Sequence, residues 1–164
     1  MAKEITLRPI LPSDNEILSR IIKGVFIEHP DAPREGTVYS DPTTDHLFEL
    51  FQADQSALWV AEIENEIVGC CGIFPTAGLP DGCVELVKFY LHASARGKGV
   101  GRALMEKSIE SAKEFGFQSI YIESLTQFDK AVNIYLKQGF KQLDQPLGQS
   151  GHTGCNIWMV KEIG

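Results

Sequence analysis

The residues best suited to chemistry form a basic, glycine-rich segment, Arg96-Gly97-Lys98-Gly99-Val100-Gly101-Arg102. It follows an apolar run at residues 83–91 that predicts a strand, and it precedes residues with helical spacing. The first N–H groups of a helix lack internal hydrogen-bond partners and carry partial positive charge, so this arrangement favours binding of a pyrophosphate. The three glycines are expected to let phosphate oxygens approach the backbone and to permit positive φ. We therefore predict a phosphorylated cofactor.

The spacing of the glycines distinguishes between cofactors. The dinucleotide fingerprint G-x-G-x-x-G starting at Gly97 requires a sixth-position glycine where the chain has Arg102, and the Gly-Lys-Ser/Thr end of a P-loop does not occur. The pattern R-x-x-G-x-G does occur, as Arg96, Gly99 and Gly101. Together with the preceding strand end Phe89-Tyr90-Leu91, it resembles the acyl-CoA-binding motif of the GCN5-related N-acetyltransferases. From the hexapeptide alone, an incidental loop is the alternative.

A second segment, residues 131–140, carries the pattern A-x-x-x-Y-x-K-x-G-F. It resembles the late helix of the same family, and the resemblance implies that Tyr135 donates a proton to the departing thiolate of coenzyme A. From the helix alone, a surface position for the Tyr135 hydroxyl is the alternative. Family members often carry asparagine three residues before the alanine, where this chain has Phe128, so no asparagine contact with the cofactor is expected there.

The resemblance extends over the entire chain and implies one N-acetyltransferase domain, residues 1–164. It implies direct transfer of an acetyl group from acetyl-CoA, as co-substrate, to a primary amine. The strand backbone would pair with the pantetheine arm, the N–H groups from Gly97 to Arg102 would hold the pyrophosphate, and the Leu91 N–H would stabilise the oxyanion. The implied cofactor-binding residues are Phe89, Tyr90, Leu91, Arg96, Gly97, Lys98, Gly99, Val100, Gly101 and Arg102.

A carboxylate base is also expected, because an aliphatic amine is mostly protonated at pH 7. Glu85 is the candidate: it lies within an apolar strand, and period-two counting puts it on the face of Val87, Phe89 and Leu91. Burial there would raise its pKa to a useful value, and the family often places its base on this strand. A salt bridge to Lys88 or to a neighbouring strand is the alternative role for Glu85. Glu123 is the reserve base.

Other polar residues are given structural roles. His152 is expected to be a solvated loop residue, His92 a turn residue and Cys155 a strand residue. Cys70 and Cys71 are expected to pack on opposite faces of the sheet. Four carboxylates lie in the region that usually shapes the acceptor pocket in similar proteins, and they would either attract a cationic amine or remain solvated: Asp31, Glu35, Asp41 and Asp45.

Composition excludes several classes of protein. A net charge of −7 argues against binding to nucleic acid or to an anionic membrane surface. No apolar run approaches 18 residues, and the first four residues lack the apolar core of a signal peptide. The four cysteines form no C-x-x-C pair, so we expect no metal site and reduced thiols in the cytoplasm.

The elements that must position these residues follow the order β-α-α-β-β-β-α-β-α-β-β. Strands are predicted at 5–9, 58–62, 67–74, 83–91 and 119–123, after Phe140, and at 155–161, where the last strand closes the sheet. The first helix is predicted to begin after Ser13, which would cap it, and to have Ile17 on its apolar face. Further helices are predicted around 43–53 and at about 99–115 and 128–138. Glu64-Asn65 predicts a hairpin. This order is typical of the α/β (α+β) acyl-CoA N-acyltransferase fold, a mixed, mostly antiparallel sheet of about six or seven strands flanked by about four helices.

Three alternatives in function remain open at this stage. The first is an acyl-CoA-binding sensor or interaction module without turnover. The second is an acyltransferase that uses another acyl group or a hydroxyl acceptor, and the third is a nucleotide- or NAD-binding protein. The acceptor is a small-molecule amine or a protein amine that the sequence does not identify, because acceptor pockets are formed by loops without a readable code. A homodimer is compatible with the resemblance.

Overall fold

The computed structural model describes residues 3–164, which contain a seven-stranded sheet in the order β1-β2-β3-β4-β5-β7-β6. The strands are β1 Ile5–Pro9, β2 Ala57–Ile63, β3 Glu66–Phe74, β4 Cys83–Leu91, β5 Ser119–Ser124, β6 Lys141–Leu143 and β7 Ile157–Glu162. The helices are α1 Asn15–Glu28, α2 Leu47–Leu50, α3 Val100–Glu114 and α4 Asp129–Lys137. The predicted order of elements is confirmed. Residues 1 and 2, part of the segment interpreted as lacking a signal peptide, lie outside the described residues.

The sheet is antiparallel except where β4 and β5 pair in parallel. The predicted mixed, mostly antiparallel sheet is therefore confirmed. The expectation that the last strand closes the sheet is wrong, because β7 lies between β5 and β6 and the edge strand is β6. The hairpin between β2 and β3 is confirmed: Glu64 and Asn65 have φ of 51° and 65°, as the two central residues of a type I′ turn require.

The first two helices differ from their predicted form. Ser13 does not cap α1 but lies in a short 3-10 turn, and the carboxylate of Asp14 instead accepts a hydrogen bond from the Leu11 N–H at 2.7 Å. Ile17 is 42% exposed rather than part of the buried face. The helix predicted around 43–53 is divided into a 3-10 turn, Pro42–Asp45, and the single turn of α2.

Hydrophobic residues form one core on each side of the sheet. On one side, Leu18, Ile22 and Phe26 of α1 pack with α2 and with Cys70 of β3. On the other, α3 and α4 pack against the sheet, and Cys71 belongs to that core. The prediction that the two adjacent cysteines face opposite sides is confirmed. The molecule thus has helical layers on both faces of one sheet, and a cleft between two strands can be reached by residues from both layers.

Candidate active site

The sheet opens between its two parallel strands. β4 and β5 pair only over three positions, from Cys83 with Ser119 to Glu85 with Tyr121. Beyond Glu85 the strands separate, and a cavity of about 480 Å³ lies beside the end of β4. Its walls come from the end of α1, the end of β4, the glycine turn, the start of α3 and the start of α4. The cavity is therefore lined by both helical layers.

Backbone groups of β4 are directed into this opening. The His92 N–H donates to the carbonyl oxygen of Val68 at 2.7 Å, and Tyr90 is paired with Cys70. Because N–H groups along an antiparallel strand point alternately to either side, the Leu91 N–H points away from β3. That is the side on which β5 has diverged, so this donor faces the cleft.

The glycine turn forms the N-terminus of α3. Gly97 and Gly99 have φ of 76° and 82°, and a Cβ on either would meet no atom within 4 Å, so these glycines serve the backbone conformation. Gly99 is the helix N-cap and has no side-chain cap, which leaves the first N–H groups of the helix free of a capping side chain. Gly101 has no positive φ, contrary to expectation. A Cβ there would lie 3.1 Å from the Phe89 ring, so this glycine allows close packing on β4.

The basic residues of the turn have different surroundings. Arg96 lines the cavity, donates to the Leu91 carbonyl oxygen at 3.0 Å and forms an ion pair with Glu28 of α1. Its hydrogen bonds lower the pKa of Glu28. Arg102 also lines the cavity and pairs with Glu106 at 2.9 Å. Lys98, which is predicted to bind the cofactor with its neighbours, is exposed and does not line the cavity.

All of the other predicted cofactor residues line this cavity: Phe89, Tyr90, Leu91, Arg96, Gly97, Gly99, Val100, Gly101 and Arg102. Glu28 was not predicted to lie at the site, and Phe128 was named only for the absence of asparagine at its position. Phe128 stands where family members often have asparagine, and its ring packs edge-on against Phe26 with 5.2 Å between centroids. Phe128 thus contributes an apolar wall. Nothing in the sequence around Glu28 indicates its contact with a residue 68 positions later.

Tyr135 lies where the cavity meets a second, smaller one. The side chain is buried, with its ring 5.8 Å from that of Phe89 and 6.0 Å from that of Phe140, so the alternative of a surface position is wrong. Within residues 3–164 its hydroxyl has no hydrogen-bond partner. Burial raises the pKa of Tyr135, which keeps the hydroxyl protonated at neutral pH. The group is therefore able to donate a proton to a ligand.

The second cavity, of about 50 Å³, adjoins the first at Phe89 and Tyr135. We call it the small cavity; its lining residues are Val38, Glu85, Leu86, Val87, Lys88, Phe89, Glu123, Tyr135 and His152.

A β-bulge in β4 explains why one strand lines both cavities. Gly72 pairs with Val87 and Cys70 with Tyr90, so two residues of β4 oppose Cys71, and Lys88 has φ of 58°. Before the bulge Val87 packs on the α1 side, and after it Phe89 and Leu91 pack on the α3 side. The prediction that Glu85 shares a face with Phe89 and Leu91 is wrong, because the extra residue reverses the alternation.

Glu85 faces the small cavity as a buried carboxyl group. It is 4% exposed and accepts a hydrogen bond of 2.6 Å from the Thr76 hydroxyl. No ion pair to Glu85 is found among the described residues, so the expected alternative, a salt bridge to Lys88, is wrong. Burial raises the pKa of Glu85 to about 7, and the nearby charge of Glu123 acts in the same direction. A carboxyl group with this pKa exchanges protons readily at neutral pH.

The reserve base, Glu123, is held by two donors. Its oxygens accept hydrogen bonds from the Tyr121 hydroxyl at 2.8 Å and from the Ser150 hydroxyl. Both donors stabilise the charged carboxylate.

His152 is not the solvated loop residue that was expected. It lines the small cavity, and its Nε2 lies 2.8 Å from Oδ2 of Asp41. Burial opposes the charge on Asp41, yet hydrogen bonds from His152 and Thr43 outweigh it and lower the pKa of Asp41 to about 2. The histidine and its partner are 111 positions apart, so no local pattern could reveal the pair.

The remaining predicted polar residues lie elsewhere. Asp45 pairs with Lys23 on α1, while Asp31 and Glu35 are exposed, so of the four carboxylates only Asp41 approaches the small cavity, through His152. Cys155 precedes β7 instead of lying in it, and burial raises its pKa to about 12, which keeps it a thiol. His92 caps a short turn, as expected.

Comparison with known proteins assigns the family. The sequence model of the acetyltransferase (GNAT) family matches residues 25–140. The chain belongs to this family. The match covers the glycine turn, β4 and α4, and therefore every predicted catalytic and cofactor-binding residue of this GNAT domain.

Relatives agree with the assignment. The "Uncharacterized N-acetyltransferase YjgM" of Escherichia coli (strain K12) is 33% identical over 157 residues, covering 96% of this chain and 94% of that protein. N-acetyltransferase 8B of Rattus norvegicus is 34% identical over 92 residues, but these are 55% of this chain and 41% of the rat protein.

Solved structures confirm the predicted GNAT fold. A GNAT-family acetyltransferase from Staphylococcus aureus Mu50 has a TM-score of 0.83 at 20% identity, with 97% of this chain and 99% of that one covered. YncA from Salmonella typhimurium, solved with its cofactor acetyl-CoA, has a TM-score of 0.74 at 20% identity, with 96% and 93% covered.

Residues 3–164 contain neither a metal cluster nor a membrane-spanning helix. No cluster of three or more His, Cys, Asp or Glu side chains there has the arrangement of a metal site. None of the helices in this part of the chain combines the length and apolar character needed to cross a bilayer.

Proposed function

We propose that this protein is an N-acetyltransferase that moves an acetyl group from acetyl-CoA directly to a primary amine. One observation carries the proposal: Tyr135 stands where a large cleft and a small polar cavity meet, and Glu85 lines the small one. The cleft has room for an extended acyl donor, and the small cavity has room for an amine. A proton acceptor and a proton donor thus flank the junction at which the two substrates would react.

The cleft has the features that coenzyme A requires. The uncapped N-terminus of α3 and the open space at Gly97 and Gly99 suit a pyrophosphate, and the apolar walls of β4 and α4 suit the pantetheine arm. Arg96 and Arg102 add positive charge at the cleft, and the exposed Lys98 adds a further charge to the same turn. The fold is shared with YncA and with the phosphinothricin acetyltransferase of Sinorhizobium meliloti, both solved with acetyl-CoA, which supports this cofactor.

The chemistry follows from the two flanking groups. Acetyl-CoA supplies the thioester, and the protein must provide a neutral amine, a donor to the oxyanion and a proton for the leaving sulfur. Glu85, with its pKa near 7, accepts a proton from the amine. The Leu91 N–H, which faces the cleft, stabilises the oxyanion. Tyr135, held protonated by burial, donates to the thiolate as the C–S bond breaks.

The proposed mechanism is tested with Tyr135→Phe, which removes the hydroxyl and keeps the packing of the ring. Release of coenzyme A from acetyl-CoA is measured with a panel of primary amines. We expect kcat to fall by about 10²–10⁴-fold, because the thiolate loses its proton donor. The Kd of acetyl-CoA, measured by calorimetry, should stay within about twofold. Equal turnover by the two proteins would remove Tyr135 from the mechanism.

Cofactor identity is tested separately by thermal denaturation. Acetyl-CoA or CoA at about a hundredfold excess over Kd should stabilise the fold by about 2.7 kcal/mol, or about 5–10 °C for a chain of this size. NADH and ATP should give no comparable shift. A larger shift with either would mean that the glycine turn binds a nucleotide instead.

Two alternatives have distinct outcomes in these assays. Stabilisation by acetyl-CoA without coenzyme A release on any amine or hydroxyl compound would indicate an acyl-CoA-binding module without turnover. Faster release from propionyl-CoA or succinyl-CoA would indicate another acyl group. The presence of both Glu85 and Tyr135 at the junction favours an enzyme.

The proposal also covers the setting of the reaction. Residues 1–164 act as one domain, either alone or as a homodimer, in the cytoplasm. All four cysteines are free thiols, in keeping with a reducing compartment. Sedimentation measurements with and without acetyl-CoA would determine the oligomeric state.

A further inference from the structure

Lys88 is a buried cation that the reaction described above does not use. It is 8% exposed and lines the small cavity together with Glu85. Among residues 3–164 its ammonium group makes no hydrogen bond and no ion pair within 4.0 Å. The ammonium nitrogen is not fully enclosed, because within residues 3–164 only Ser108 Oγ is a fully buried side-chain polar atom without a partner. A largely buried ammonium group that borders a cavity and has no protein partner is unfavourable, and it is a candidate partner for an anion in that cavity.

The acidic groups around the small cavity are already supplied with donors. Glu85 has the Thr76 hydroxyl, and Glu123 has the hydroxyls of Tyr121 and Ser150. Asp41 is held by His152 and by the N–H and hydroxyl of Thr43. Lys88 therefore differs from every carboxylate near it, because the carboxylates have partners in the protein and the cation has none.

The backbone holds Lys88 in this position. Its φ of 58° is uncommon for a residue with a long side chain, and the thiol of Cys70 donates to its carbonyl oxygen at 3.1 Å. Strained backbone of this kind persists where the surrounding structure fixes it, and it is concentrated at binding sites. The bulge thus places a cation in the small cavity at a point where regular alternation would not.

The charges that face Lys88 do not neutralise it by contact. Asp41, from the loop before α2, and Glu85, on its own strand, are the acidic groups close enough to influence it, and Cys70 of β3 is the third neighbour. Burial lowers the pKa of Lys88. The nearby acidic groups oppose that effect, but none of them lies within ion-pair distance of the ammonium group. An anion that enters the cavity with the substrate would complete the arrangement.

We propose that the acceptor is a small aminocarboxylate, whose carboxylate binds Lys88 while its amine faces Glu85. The proposal rests on the function proposed above and names the substrate class. The amine nitrogen adds to the thioester carbonyl carbon to give the oxyanion, and its proton passes to Glu85. The C–S bond then breaks as the sulfur takes the proton of Tyr135, after which Glu85 releases its proton to solvent and Tyr135 regains one. In a peptide the carboxylate next to the N-terminal amine is replaced by an amide, so a protein acceptor leaves Lys88 unpaired. A cavity of about 50 Å³ also suits small head groups.

The kinetic test uses matched acceptors that differ only in the carboxylate. Each of several small amino acids is compared with its decarboxylated amine and with its amide, for example alanine, ethylamine and alaninamide. In each set of acceptors that the wild type uses, its kcat/KM should be at least 100-fold higher for the amino acid than for the corresponding amine or amide. In Lys88→Met this ratio should fall to within about threefold, and Lys88→Arg should recover part of it. Lys141→Met, which removes an exposed lysine on β6, should retain the wild-type ratio.

A binding test separates this inference from the proposed function. N-acetylated amino acids and N-acetylated amines are titrated by calorimetry into the protein saturated with CoA. The wild type should bind the carboxylates at least tenfold more tightly, and Lys88→Met should lose this difference while acetyl-CoA still raises its melting temperature. Binding without turnover of any acceptor would overturn the enzymatic proposal and support the anion site. Equal use of alanine and ethylamine, preference for a peptide amine, or an unchanged ratio in Lys88→Met would overturn the inference.

Discussion

Catalysis and burial have opposite effects on the charged form of Glu85. A base must lose its proton to act, and burial makes the charged form of this carboxyl group unfavourable, which raises its pKa from 4.5 to about 7. The Thr76 hydroxyl offsets part of that effect by hydrogen bonding to the charged form. The site therefore gains a base suited to neutral pH at the expense of folding stability.

The pH dependence of stability follows from this shift. Between pH 4.5 and 7 the folded state holds the Glu85 proton and the unfolded state releases it, so the free energy of unfolding falls as pH rises through this window. The full effect is about 3 kcal/mol. Glu85→Gln, which has no charge to bury, should gain stability relative to the wild type between pH 5 and pH 8, as measured by urea denaturation. Its kcat/KM should fall sharply.

Glu66→Gln is the control for this comparison, because Glu66 is an exposed residue of β3. The difference in the free energy of unfolding between Glu66→Gln and the wild type should stay constant over the same pH range. A pH-independent difference for Glu85→Gln would contradict the raised pKa.

Sequence reasoning was effective for some residues and not for others. Glu85 could be nominated because a carboxylate within an apolar strand is conspicuous, and Tyr135 because it occupies a recognisable helix pattern. Glu28 and His152 could not, since each owes its position to a partner distant in the sequence, Arg96 and Asp41 respectively. Side chains of this kind are selected by tertiary contacts, which leave no local signal.

At the scale of elements, the glycine turn depends on backbone conformation more than on space. Ala at position 99 would be held at φ of 82°, which costs about 1–2 kcal/mol for a residue with a Cβ, although the Cβ itself would meet no atom of the protein. The same Cβ would project into the open space that we assign to the pyrophosphate. Gly99→Ala should thus lower the free energy of unfolding by about 1–2 kcal/mol and weaken acetyl-CoA binding about tenfold or more, by denaturation and calorimetry.

Gly24→Ala is the matched variant. Gly24 lies within α1, and a Cβ there also meets no atom within 4 Å, but the helical backbone accepts it. We expect this variant to be more stable by about 0.5–1 kcal/mol with unchanged cofactor affinity. If Gly99→Ala bound acetyl-CoA as tightly as Gly24→Ala, the assignment of the turn to the pyrophosphate would be wrong.

Element boundaries were predictable where periodicity was regular. The short apolar runs of β2 and β3 and the helical spacing in α3 gave the correct types and nearly the correct ends. The bulge in β4 was not predictable, because period-two counting assumes one residue per step and lysine shows no preference for positive φ. Because the extra residue at Lys88 was not counted, Phe89 and Leu91 were predicted to share the face of Glu85, whereas they lie on the opposite face.

At the scale of the whole molecule, the cleft joins the two helical layers. α1 contributes from one side of the sheet and α4 from the other, and within α4 only Tyr135 is buried. A helix with so little buried surface is expected to open locally at low free energy. A ligand in the cleft would therefore stabilise α4 more than the sheet.

Hydrogen exchange can measure this difference. Acetyl-CoA should slow exchange of amides in α4, in the first turn of α3 and at the end of α1 within seconds to minutes. Amides of the β1–β2 pair, which does not line the cleft, should keep their rates over the same interval. Equal protection of β1–β2 and α4 would contradict a local effect.

The overall architecture was largely predictable, and the strand order was not. The number, type and order of elements follow from local patterns, and the resemblance supplies the fold. The insertion of β7 between β5 and β6 depends on which strand edges meet in space, and no residue of β7 encodes its neighbours on its own.

The bulge at Lys88 lets the two halves of β4 change independently. A substitution at Glu85, Val87 or Lys88 alters the wall of the small cavity, whereas one at Leu91 alters the wall of the cleft. Since the reversal of faces separates these groups along one continuous strand, a lineage that carries the bulge can acquire a new acceptor by mutation before it while inheriting its donor site after it. Loss of the extra residue would reverse the faces of one half of β4 and so alter the walls of both cavities at once.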